Sequence, residues 1–282
     1  MIVIPREICR DISRAMTHEW FIGNSTDSYA SATITGALTR RHHGLLVASL
    51  GVSAPRTLML AKMDEEVEVE GRMYKLGTNE YLTNVISPDG FLYLQQVTCD
   101  GVIAKFVYEA GRFQLTKTIW MEHARTTTYI RYTLAEHSAP ARLTLVPMCD
   151  DRPTEKITQG SEAWRFQIEQ LTQGIRVAAT PDAKPYRLLT EPAAPFTPLD
   201  LWYWRFQLRA ENDAALDLYV PGLFRVNLQP ADSFSCIATA ENDDDIDFNV
   251  SHAYENARAR TASHPLPASD QFTSAFFTAP PM

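Results

Sequence analysis

Arg40, Arg41, His42 and His43 stand in a row just ahead of the apolar run 45–50. Two guanidiniums and two imidazoles beside a buried strand need partners, because an unpaired charge is expensive to desolvate. The planar fork of arginine fixes carboxylates, phosphates or vicinal hydroxyls in a set orientation. Three roles fit the row: a brace on a buried carboxylate that ties two sheets together, a face that docks another domain, or direct contact with a sugar. Trp20, Asn24 and Tyr29 precede it, so residues 19–46 concentrate polar and aromatic side chains. Trp20 and Tyr29 fall in a loop-like stretch, where their rings could lie on the apolar face of a sugar. Trp20, Asn24, Tyr29, Arg40, Arg41 and His43 are therefore the candidate glycan-binding or domain-interface residues. His42 and His43 are unsuited to share a metal, since neighbours on a strand point to opposite faces.

Carboxylate pairs offer a different chemistry. Glycoside hydrolysis needs two carboxyls about 5–10 Å apart across one bond. Glu66, Glu68 and Glu70 alternate with Val67 and Val69, which puts them on the wet face of a strand. Asp150 and Asp151 follow an expected strand end at Pro147 and read as turn chemistry. No acid–base pair stands out, so no catalytic residue is assigned. The sequence also lacks a glycine-rich phosphate loop, HExxH, GxSxG and a CxxC pair. Neither a metal nor a cofactor is expected.

The elements that must position these residues are strands. Period-two alternation runs through 113–121, 129–134, 164–169, 201–209 and 216–220. In 201–209 it puts Trp202, Trp204, Phe206 and Leu208 on one face, and both tryptophans in the core. Glycines at 71, 90, 101 and 111 mark hairpin turns. About fifteen strands at this spacing make an all-β, antiparallel two-sheet sandwich. Helix is confined to a turn or two over 7–16 and one longer piece over 251–262. The acidic residues at 243–247 suit its N-terminus. Residues 181–198 hold five prolines and read as a surface loop. The sandwich is expected over 1–262, with 263–282 a Pro-, Ala- and Ser-rich tail or severed linker.

Composition narrows the function classes. A net charge of −8 without a basic block argues against nucleic acid. The four cysteines are widely spaced and read as reduced thiols. No apolar run reaches membrane length and no signal peptide is evident, so the cytoplasm is the expected setting and no membrane partner is expected.

Residues 19–65 also carry a family resemblance. Glu19-Trp20, Asn24, Tyr29-Ala30-Ser31, Gly36, Arg40-Arg41 and His43-Gly44-Leu45-Leu46 resemble the opening of bacterial and archaeal glycogen debranching enzymes. The segment 60–65 resembles the strand that follows there, and Asp270-Gln271-Phe272 the lead-in to a catalytic domain. The sequence departs from that pattern in two places. Asp27-Ser28 replaces a glycine pair, which reduces turn freedom, and His42 replaces a tyrosine. The resemblance implies a super-sandwich like galactose mutarotase or the N-terminal domain of glucoamylase. It implies a non-catalytic domain that supports a helical-barrel glycosidase domain, in cis or in trans, and helps bind branched α-glucan such as glycogen or limit dextrin. The hydrolytic carboxylates would belong to that helical domain, so the chain alone is expected to be inactive. A free-standing α-glucan-binding or regulatory protein is the alternative. A mutarotase-type enzyme is a third reading, with His43 or His123 as acid and Glu19 or Glu122 as base.

Overall fold

The computed structural model describes residues 1–51, 54–212, 214–242 and 248–263. The expected tail and Asp270-Gln271-Phe272 lie outside these residues, as do the acidic positions 243–247.

Alternating and fully apolar segments become strands along almost the whole described chain. The first are β1 (Ile2–Pro5), β2 (Glu19–Gly23), β3 (Tyr29–Thr33), β4 (Gly44–Ala48), β5 (Thr57–Val69) and β6 (Arg72–Lys75). There follow β7 (Thr78–Tyr81), β8 (Val85–Asp89), β9 (Leu94–Cys99), β10 (Ile103–Ala110), β11 (Phe113–Met121) and β12 (Thr127–Leu134). The last are β13 (Ala141–Pro153), β14 (Gln167–Leu171), β15 (Gly174–Ala178), β16 (Tyr186–Glu191), β17 (Phe196–Leu208), β18 (Ala214–Leu228) and β19 (Ser233–Thr239). One sheet has nine strands in the order β1-β9-β10-β11-β12-β19-β16-β15-β14. The other has ten, in the order β2-β3-β4-β5-β13-β18-β17-β7-β8, with β6 added to β5. The fold is thus the expected all-β antiparallel sandwich.

The main core draws on both sheets, including Trp20, Ile22, Leu60, Phe106, Ile130, Leu143, Trp202 and Phe224. A second apolar cluster draws only on the ten-stranded sheet and its loops, among them Tyr29, Val47, Leu58, Met148, Phe206 and Leu218. It therefore covers the outer face of that sheet. A third lies under α3 (Val250–Ser263), where Val250, Ala253 and Ala257 meet Ile103, Trp120 and Tyr129 of the nine-stranded sheet. Trp120 stacks on Tyr129 at 5.2 Å, and the Arg131 guanidinium lies 5.3 Å above Trp120 and 5.1 Å above Tyr254. Asn249 caps α3 by accepting from the His252 amide at 3.0 Å. The short helices α1 (Arg6–Cys9) and α2 (Ile12–Ala15) occupy the expected N-terminal stretch.

Four expectations are corrected. The bulge in β17 between Tyr203 and Phe206 puts Arg205 at φ 64° and reverses the side-chain parity. Trp202 stays in the inter-sheet core while Phe206 and Leu208 join the outer cluster, and Trp204 is 43% exposed. The five-proline stretch is not a loop: it contains β16 and the start of β17. Four of its prolines flank the strands, and Pro198 lies in β17 next to a register shift. Gly90 does not turn a hairpin but opens a 3₁₀ turn, and a Cβ there would lie 2.0 Å from the Leu76 carbonyl oxygen. Asp150 and Asp151 lie within β13 rather than after it, and Asp150 is fully buried.

Candidate functional site

The row Arg40–His43 is a turn between β3 and β4 on the outer face of the ten-stranded sheet, and each charge in it has a partner. Arg40 Nε donates to Glu19 Oε1 at 2.7 Å. His43 is buried, and its Nδ1 accepts from the Thr39 amide at 3.3 Å. That bond leaves the proton on Nε2, which faces Glu19 Oε1 at 3.6 Å. Burial alone would raise the Glu19 carboxyl, but the facing His43 ring and the Arg40 hydrogen bond override it and hold the group at about 2. Arg41 Nε bonds Glu211 Oε2, the Arg41 amide donates to Glu211 Oε1 at 2.7 Å, and Nη1 donates to the Glu155 carbonyl at 2.9 Å. His42 is pushed down to about 4, first by burial and further by the positive charge of Arg40. The two imidazoles lie 5.5 Å apart, edge to face, because the row is a turn and strand alternation does not apply.

Beneath this turn runs a buried support. Arg152 donates through Nε to Asp150 at 2.8 Å, through Nη1 to the Lys156 carbonyl at 2.7 Å, and through Nη2 to the Arg41 carbonyl at 2.6 Å. Thr158 Oγ1 donates to the same Asp150. The 40–43 turn is therefore locked to the end of β13, to β2, and through Glu211 to the β17–β18 turn. The brace foreseen from sequence exists, but it acts within one sheet rather than between two.

Between the two sheets, Lys117 and Tyr132 reach Glu65 at 2.6 and 2.7 Å in the interior, and Asn24 joins them at one edge. Its Nδ2 donates to the carbonyls of Glu122 at 3.2 Å and Arg125 at 2.7 Å, beyond the end of β11. Its Oδ1 accepts from the amides of Thr26 at 3.0 Å and Ser28 at 3.1 Å. In this turn Asp27 adopts φ 63°, so aspartate takes the left-handed conformation that glycine would supply.

The aromatic candidates are not surface rings. Trp20 lies on β2 rather than in a loop; it is 2% exposed, with its ring 5.8 Å edge-on to Phe106 in the inter-sheet core. Tyr29 begins β3, is buried against Phe21 at 5.2 Å, and donates through its hydroxyl to the His42 carbonyl at 3.0 Å. The structure thus brings Tyr29, Arg40, Arg41 and His43 together, places Trp20 on the opposite face of the sheet, and puts Asn24 at the far end of β2. His43 meets Glu19 at one end of β2, whereas His123 lies against Ser25 beyond the other. The two histidines considered for proton transfer thus serve different ends of the sheet. Sequence reasoning missed Glu211, Arg152 and Asp150 as members of the cluster. No local signal marks Glu211, which lies 170 residues from Arg41.

These features meet in a known family. Residues 18–235 match the family model described as glycogen debranching enzyme N terminal, and the chain belongs to that family. A bacterial glucoamylase complexed with acarbose superposes with a TM-score of 0.42 at 10% identity, over 88% of this chain and 36% of that one. A human-microbiome protein described as a kojibiose phosphorylase gives 0.42 at 9% identity, over 93% and 35%. The chain therefore spans about a third of the length of either structure. No curated protein sequence matches it.

Proposed function

We propose that this chain is the non-catalytic N-terminal domain of a glycogen debranching enzyme. It braces a helical glycosidase domain, in cis or in trans, and helps hold branched α-glucan in the cytoplasm. The family match over 18–235 carries the reading. The cluster geometry supports a bracing role over a cutting one. Glu19 and Glu211 are each held by an arginine, which suits a structural carboxylate better than a proton donor or nucleophile. Arg40 and Arg41 each keep about a third of the side chain exposed while locked from below, which makes them a rigid ledge for another domain.

Co-expression with the helical domain encoded by the same or an adjacent reading frame tests this. The two are expected to purify as one complex, weakened by Arg41→Ala and Arg40→Ala. Separate elution of the unaltered domains contradicts the reading.

A further inference from the structure

A groove of about 170 Å³ opens on the outer face of the ten-stranded sheet, where β5, β7, β8 and β13 meet. Its floor is a buried polar chain. Lys62 Nζ donates to the Thr78 carbonyl at 2.9 Å and to Asn79 Oδ1, and Asn79 Nδ2 donates to Asp64 Oδ2 at 2.7 Å. Asp64 is 8% exposed, and its Oδ1 receives no hydrogen bond from the protein, although Lys62 Nζ stands 2.9 Å away. Gly77 lets this carboxylate pack directly on the backbone, since a Cβ there would lie 2.5 Å from it. Glu66 and Lys75 form one side, 3.4 Å apart. Tyr81, packed at 5.1 Å on Phe206, forms another, and Tyr203 stands at the mouth, 38% exposed.

The charges of the groove cancel in pairs: Lys62 with Asp64, Lys75 with Glu66, and Glu65 with Lys117 at 2.6 Å. An ion would find no net attraction there. A neutral ring bearing several hydroxyls would find carboxylate and amide partners below and a tyrosine beside it, and tyrosine pairs an apolar face with a polar tip. Burial, then the charges of Asp64 and Tyr203, push the Tyr81 phenol up to about 12, so its hydroxyl keeps its proton as a donor.

We propose that this groove binds one neutral pyranose unit of a glucan chain. The sugar hydroxyls bond Glu66 and the Tyr81 hydroxyl, above the buried Asp64, and the C–H face of the ring lies on Tyr203. The choice of α-glucan as the source of that unit rests on the function proposed above. The site is separate from the Arg40–Arg41 ledge, so the domain would grip glucan and partner through different residues.

Titration of the full chain with maltotriose by isothermal calorimetry is the test. Saturable binding is expected, weakened about tenfold in Tyr203→Ala and also weakened in Glu66→Gln, with thermal midpoints unchanged. Absence of saturable binding, equal affinity in both variants, or displacement of maltotriose by inorganic phosphate would overturn the groove assignment. Co-purification with the helical domain is scored in parallel. A complex that forms without sugar binding sinks the groove alone, and sugar binding without a complex sinks the bracing role alone.

Discussion

At the scale of single residues, His42 and Glu19 give the ledge two separate acid limbs. His42 sits at about 4 against an ordinary 6.5, so the unfolded chain takes up its proton first as pH falls. Native stability should therefore decline between pH 6.5 and about 4, by up to about 3 kcal/mol from this group. Glu19 sits at about 2 against 4.5, so its contribution is present above pH 4.5 and is lost as pH falls towards 2. Asp151 works in the opposite sense, because burial and Asp150 raise it to about 6. Difference curves remove that opposing effect. Urea unfolding at stepped pH should show the gap between the unaltered chain and His42→Asn shrinking from pH 6.5 to 4. Its gap to Glu19→Gln should shrink only below pH 4.5. Flat differences would mean that neither group is coupled to its neighbours as described. The need for partners was legible in the residue types, since two arginines cannot sit unpaired beside a buried strand. Which carboxylates serve was not legible, because Glu211 approaches through chain topology alone.

At the scale of elements, the turn at 40–43 is only as firm as its anchor. Arg152 reaches Asp150 and the carbonyls of Lys156 and Arg41 at once. Arg152→Ala would leave a buried carboxylate uncompensated, and a loss of about 3–5 kcal/mol is expected in equilibrium unfolding. Arg152→Lys should recover only part of it, because an ammonium lacks the planar fork. A loss below about 1 kcal/mol for the alanine variant would show that the anchor is dispensable. Strands such as β11 and β12 were readable because their alternation is unbroken. β17 was not, because its bulge puts a non-glycine residue, Arg205, at positive φ and no sequence signal announces the reversal. For the same reason Trp204 was expected inside and stands outside. The prolines around β16 misled in the other direction, because proline at a strand boundary looks the same in sequence as proline in a loop.

At the scale of the molecule, the two sheets bury all four cysteines as free thiols. Burial raises the thiols, Cys99 and Cys236 to about 12. A disulfide reagent should therefore find no reactive thiol in the native chain and four after unfolding in guanidinium. Rapid reaction of the native chain would argue against this packing. The overall architecture was the most legible feature, since strand spacing and the motif over 19–65 point to the same sandwich. The division of labour within it was the least legible, because it depends on which side chains reach the outer face of one sheet. The function proposed for this chain is to brace a hydrolytic partner, with no cutting of its own. Glucose release from a branched limit dextrin by the purified chain measures that directly. We expect no release above a protein-free blank over prolonged incubation; sustained release proportional to protein concentration would contradict the claim.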